Sequence, residues 1–287
     1  FKGLVEAGVD YVELGYRADK AQFNVEDHGP WRFCDEADLR DVAFESEGTK
    51  ISVMCDVGRT DSATFLPFDE SIVSMYRIAC YAKEVDKAIK LAQHAKDLGY
   101  EVCVNIMAAS HVLEIELNEA LAQLAETNFD AVYLVDSFGY FYSEQIHYLT
   151  DKYIKALPGK EVGIHCHNNQ QLAFANTVEG IIKGINYVDG SIFGMGRAAG
   201  NCTTELLLGF LKNPKYDIAP VLDLIQKHFV VMKDELKWGY EVPYLVTGVL
   251  NKHPRSSLQY MKEDAEGTLT RSYSDFWNEF SDTENID

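Results

Sequence analysis

The chain has 287 residues, 47% of them hydrophobic, enough to bury a large core as one α/β barrel or as two domains. Its formal net charge of −19 repels polyanions, so nucleic acid is not an expected partner, although a metal can reverse the local field for a small anionic substrate. No run approaches the ~18 apolar residues of a membrane span and no secretory leader is read, so the expectation is a soluble protein without a membrane partner.

Phe1–Gly8 reads as a helix fragment, and the absence of an initiating Met leads us to expect sequence ahead of it. From Val9 onward, apolar β-branched runs alternate with longer amphipathic stretches. The strand candidates are Val9–Tyr16, Lys50–Asp56, Ile72–Cys80, Tyr100–Ala108, Ala131–Ser137, Val162–His167 and Tyr187–Phe193. Near-continuous apolar runs fit parallel strands covered on both faces. Helix candidates lie between them. Lys83–Leu98 stops at Gly99, Ile115–Thr127 follows the same pattern, and Ser143–Leu157 opens on a possible Ser143 cap and ends before Pro158. Gln170–Lys183 stops at Gly184, and Thr203–Leu211 stops before Pro214.

This alternation predicts a parallel sheet, open or closed. The expected fold is a TIM (β/α)₈ barrel over residues 1–213 whose first strand lies upstream of Phe1. Residues 214–262 form a helical extension, with Ile218–Trp238 and Pro243–Lys252 as its helices, and 263–287 an acidic tail. The six cysteines, at 34, 55, 80, 103, 166 and 202, make no CxxC pair, as expected of reduced thiols in a cytoplasmic protein.

The residues for chemistry gather at strand ends. His165 and His167 in Gly163-Ile164-His165-Cys166-His167-Asn168-Asn169 are two apart and point to one side, where two imidazoles can grip one cation. They can equally be hydrogen-bonded to loop carbonyls. Gly194-Met195-Gly196-Arg197-Ala198-Ala199-Gly200-Asn201 lets backbone approach a ligand; Arg197 can pair with a carboxylate and Asn201 can offer its carbonyl to a metal. Asp136 either orients a ligating His or caps the next helix. Glu13 and Arg77 are charges in apolar strands, facing the mouth or pairing with each other. Asn105, Ser110 and His111 lie at another strand end.

Together these motifs resemble the HMGL-like metallolyase superfamily, which includes 4-hydroxy-2-oxovalerate aldolase, hydroxymethylglutaryl-CoA lyase and isopropylmalate synthase. His165 to Asn169, Leu172-Ala173, Ala175-Asn176, Asp189-Gly190-Ser191, Gly194 to Asn201, Asp136-Ser137 with Gly139, and Ala109-Ser110-His111 are most similar to the aldolase branch. The resemblance runs from Val9 to about Leu211 and weakens through Arg255, where Trp238-Gly239-Tyr240 to Tyr244 is similar to a tyrosine-bearing aldolase helix.

The resemblance implies a barrel with a divalent ion, Mn²⁺ or Mg²⁺, held by His165, His167 and, as in some members, Asn201, together with an Asp from an Arg-Asp-Gly motif that does not occur in this chain. It implies cleavage of a 4-hydroxy-2-oxo acid to pyruvate and an aldehyde. Glu13, Asp136, Arg197 and Tyr240 are the candidate catalytic residues, Tyr240 for proton transfer. The alternatives are a Claisen-type synthase joining an acyl-CoA to a 2-oxo acid, a CoA-ester lyase, or a metal- or metabolite-binding module without catalysis. The C-terminal helices are candidates for a homodimer contact or for docking a partner dehydrogenase.

Overall fold

The computed structural model describes residues 1–43 and 48–281. Seven parallel strands form one sheet in sequence order: β1 (Tyr11–Tyr16), β2 (Lys50–Asp56), β3 (Val73–Tyr81), β4 (Glu101–Met107), β5 (Ala131–Asp136), β6 (Glu161–Cys166) and β7 (Tyr187–Val188). The runs read from the sequence become these strands because nearly every residue of β3, β4 and β5 is buried on both faces. The sheet curls far enough for its edges to meet through side chains. The Tyr11 and Tyr187 ring centroids are 6.3 Å apart, and Arg77 on β3 reaches both Glu13 and Asp189.

Helices coat the outside. Those along the sheet are α1 (Lys2–Glu6), α2 (Glu36–Val42), α3 (Val85–Asp97), α4 (Glu114–Ala125), α5 (Ser143–Ala156), α6 (Ala173–Ile182) and α7 (Thr204–Leu211). In α3, Val85, Ala88, Ala92 and Ala95 form a buried stripe that packs close to the strands, and Gly99 turns the chain at φ +100°. Helix α5 begins at Ser143, but its cap is Tyr142, whose amide donates to Gln145 Oε1 at 2.8 Å.

Strand β7 is shorter than its apolar run. Only Tyr187 and Val188 pair with β6; Asp189 then turns its carboxylate to the interior, and Ser191 bridges to Thr203 instead. Beyond it the chain coils into the tight turn Ile192–Gly194.

Between β1 and β7 the strands leave a cleft of about 860 Å³, lined by Tyr11, Glu13, Met75, Arg77, Tyr187 and Asp189 among others. The helical layer nonetheless closes over it. Ala7, Leu208 and Val221 share one apolar cluster that includes α8 (Ala219–Leu224), and Gly3 lies so close to Leu224 that a Cβ there would displace the leucine side chain.

Past Pro214 the expected Ile218–Trp238 helix is interrupted by a π-helical turn, Ile225–Phe229, before α9 (Val230–Leu236), and ends where Lys237 adopts φ +50°. Then come α10 (Val242–Val249), α11 (Arg255–Ala265) and α12 (Tyr273–Ser281). The segment expected as an acidic tail contains α12, which buries Phe276 against Val246 and Tyr260; residues 282–287 lie outside the described residues. Loop 250–254 is hooked to the barrel top, with Ser110 Oγ donating to Asn251 Oδ1 at 2.7 Å and His111 Nε2 on the Asn251 carbonyl. No helix among the described residues is long and apolar enough to cross a membrane.

Candidate active site

The C-terminal ends of the strands, where active sites of such barrels are built, carry most of the residues singled out above. His165 lies in β6 and His167 one residue beyond it; their rings meet edge to face with centroids 5.1 Å apart. Gly163, two residues before His165, makes room beneath. A Cβ there would stand 2.6 Å from the Tyr133 ring, so that ring lies flat across the interior, and the Arg77 guanidinium stacks over it at 4.4 Å.

Arg77 organises the charges. Its guanidinium donates to Glu13 Oε2 at 2.9 Å and to Asp189 Oδ2 at 2.5 Å, while His165 Nδ1 lies 2.8 Å from the same Asp189 oxygen. Burial pushes the Asp189 carboxyl up, but Arg77 and His165 outweigh it and hold it down at about 2. An ionised carboxylate only accepts, so Nδ1 carries a proton and Nε2 is the ring nitrogen left without a hydrogen-bond partner among the described residues. The carboxylate that orients His165 is therefore Asp189. In the sequence Asp189 stands out only as the start of Asp189-Gly190-Ser191 and as an Asp ending an apolar run. Burial also raises the Glu13 carboxyl, with Arg77 pulling the other way.

Asp136 points elsewhere. It is 1% exposed and accepts from the backbone amides of Tyr140 at 2.9 Å and Phe141 at 3.2 Å, so it shapes the turn after β5. Burial raises it to about 6 despite those amides. Asn105 is buried, and Ser110 and His111 are engaged by Asn251.

The glycine loop brings Asn201 beside His167. Gly194 and Gly200 touch so closely that a Cβ on Gly200 would fall 2.0 Å from the Gly194 carbonyl; Asn201 N donates to that carbonyl at 3.2 Å, and Asn201 bridges to His167. Asn201 Oδ1 is buried without a hydrogen-bond partner. Burial, His165 and Arg197 drive the His167 imidazole well below its ordinary range and keep it neutral, the form that ligates metals. Arg197 has no carboxylate partner among the described residues and lies within electrostatic reach of His167, Tyr16 and His253. Tyr240 stands at the rim, 53% exposed, next to Gly239, whose amide donates to the Ala198 carbonyl at 3.1 Å. No hydrogen bond among the described residues joins it to the histidines.

Two imidazole rings and an unpartnered amide oxygen suit a borderline divalent cation, with Asp189 behind His165 as the outer carboxylate. Among the described residues no group of three His, Cys, Asp or Glu side chains could complete a shell.

The sequence pattern of the HMGL-like family matches residues 1–227. The 4-hydroxy-2-oxovalerate aldolase of Pelotomaculum thermopropionicum is 31% identical over 237 residues, 82% of this chain and 68% of that one. That of Geobacillus thermodenitrificans is 32% identical over 85% of this chain and 74% of its own. Among solved structures, the N-terminal domain of a candidate aldolase from Bacteroides vulgatus superposes with a TM-score of 0.79 at 27% identity, covering 96% of this chain and 90% of that one.

Proposed function

The chain belongs to the HMGL-like family, and on that premise we propose that it is a divalent-metal-dependent aldolase cleaving a 4-hydroxy-2-oxo acid to pyruvate and an aldehyde. The observation that carries the reading is the pairing of His165 and His167 at the mouth, with Asp189 fixing the one and Asn201 Oδ1 lying unpartnered beside the other. His165 Nε2, His167 and Asn201 would hold Mn²⁺ or Mg²⁺. A further acidic ligand would come from an eighth parallel strand seated in the cleft between β1 and β7, where the helices already close and the sheet does not.

When bound, the ion supplies Lewis-acid stabilisation of the enolate charge that develops as the bond breaks. Arg197 pairs with the carboxylate of the 2-oxo acid. Glu13 in the interior and Tyr240 on the rim are the candidates to take the 4-hydroxyl proton. The C3–C4 electron pair remains on C3, the aldehyde leaves, and protonation at C3 gives pyruvate. Burial of Glu13 raises its basicity, as proton acceptance requires, while Arg77 anchors it.

The test is to incubate the full-length protein with Mn²⁺ and a series of 4-hydroxy-2-oxo acids and to assay pyruvate. We expect metal-dependent pyruvate, lost by at least roughly 10³-fold in the His165→Ala/His167→Ala double variant, with Mn²⁺ binding lost in parallel calorimetry. Absence of pyruvate from every acid tried would remove the assignment.

A further inference from the structure

Segment 17–35, between β1 and α2, runs over the mouth with no helix or strand longer than a three-residue turn. Long structureless loops in barrels usually carry function. This one is pinned. Gly15 is pressed so closely under it that a Cβ would lie 2.1 Å from the Trp31 carbonyl. Arg17 donates to the Cys34 carbonyl, and Ala18 N donates to the Arg32 carbonyl at 3.1 Å. The position of Arg32 is therefore set by the strand beneath it.

The Arg32 guanidinium is stacked between two rings, 4.4 Å from the Phe23 centroid and 5.2 Å from that of Tyr16. Its Nε is buried without a partner, and it makes no ion pair among the described residues. Asp56, an acid within its electrostatic reach, has Arg59 as its own cation at 3.9 Å. In a chain of net charge −19, a stacked arginine without a carboxylate is a site for an incoming anion. Its place fits that use. Tyr16, whose ring lies 5.2 Å from the Arg32 guanidinium, is the last residue of β1 and so stands at the mouth end of that strand. The strand that ends at Tyr16 also carries Glu13, which Arg77 joins to Asp189 and so to His165.

We propose that Arg32 receives a second carboxylate at the far end of the substrate, so that the substrate class is a dicarboxylic 4-hydroxy-2-oxo acid with its 2-oxo end at His165 and His167. This rests on the aldolase reading above and narrows it. The products are pyruvate and an aldehyde that itself bears a carboxylate. The far carboxylate stays bound to Arg32 while the C3–C4 bond breaks.

The experiment compares 4-hydroxy-2-oxoglutarate with 4-hydroxy-2-oxopentanoate as substrates of the full-length protein with Mn²⁺. In parallel, calorimetry compares 2-oxoglutarate with 2-oxopentanoate as non-cleavable ligands. The wild type should favour the dicarboxylic member of each pair roughly 10- to 100-fold, the worth of a charge-assisted contact. Arg32→Met, which keeps a side chain against both rings, should erase that preference and leave the monocarboxylic acid within about threefold, whereas Arg197→Met should weaken both acids alike. Equal affinity of the wild type for the two ligands, which needs no variant to fold, overturns the proposal. So does a loss in Arg32→Met that is the same for both acids. Pyruvate from neither acid would overturn the aldolase reading, yet selective loss of 2-oxoglutarate binding in Arg32→Met would still uphold the anion site.

Discussion

Strands β2 to β6 and the β1–β7 seam are built by different forces. In the first, which we call the wall, each strand is laddered to two neighbours, and Ile78, Val104, Val132 and Ile164 are buried with no polar atom to satisfy beyond the backbone. At the seam no ladder joins the strands. Contact passes through ring packing of Tyr11 on Tyr187 and through the charged chain Glu13–Arg77–Asp189–His165. The wall is apolar and interchangeable within limits of volume, whereas the seam depends on particular charges in particular places. The side chains proposed for chemistry stand against the seam because that is where the interior is already polar.

The sharpest way to break this comparison is Arg77→Met, which leaves Glu13 and Asp189 facing each other without a cation. Urea unfolding should show a loss on the order of 3–5 kcal/mol; a loss near 1 kcal/mol would mean that the seam is no more demanding than the wall. Two carboxylates then give opposite pH dependence. Asp136 ends a wall strand and binds only backbone amides, so burial raises it to about 6 from an ordinary 3.8. The folded state holds that proton more tightly. Its contribution is therefore full below pH 4 and falls by about 3 kcal/mol as the pH rises through 6, a slope that Asp136→Asn should flatten. Asp189 at the seam is held down at about 2, so its contribution of about 2 kcal/mol is present above pH 4 and is lost as the pH falls toward 2, with Asp189→Asn flattening that arm. If the two arms had the same sign, the contrast between amide-bound and cation-bound carboxylates would fail. The smallest effect belongs to the wall: Ile78→Val should cost about 1 kcal/mol by equilibrium unfolding, with no change in the pH profile.

The strands of the wall were legible because their period and burial coincide. Apolar runs bounded by Gly99, Pro158 or Gly184 leave little choice of element. The histidine pair was legible for a similar reason, since residues two apart in an extended run share a face whatever surrounds them. What escaped was long-range. Asp189 meets His165 from 24 residues away and Arg77 from 112, and no local pattern records either meeting. The 17–35 loop has no periodicity, so the place of Arg32 depends on Gly15 and on two aromatic neighbours that only the fold brings close. Strand β7 looked longer than it is because Ile192 and Phe193 continue the apolar run after pairing has ended. Helix α12 was hidden by the acidic composition around its one buried ring, Phe276.

The flat Tyr133 ring over Gly163 ties the histories of two positions together. Alanine at 163 collides with the phenol, and a smaller residue at 133 leaves Arg77 without its platform, so neither site tolerates drift alone. A chain that exchanged both at once, Gly163→Ala with Tyr133→Leu, should be sturdier than the Gly163→Ala single exchange. Any lineage that abandoned the ring would have to find another seat for the arginine before it could move the glycine.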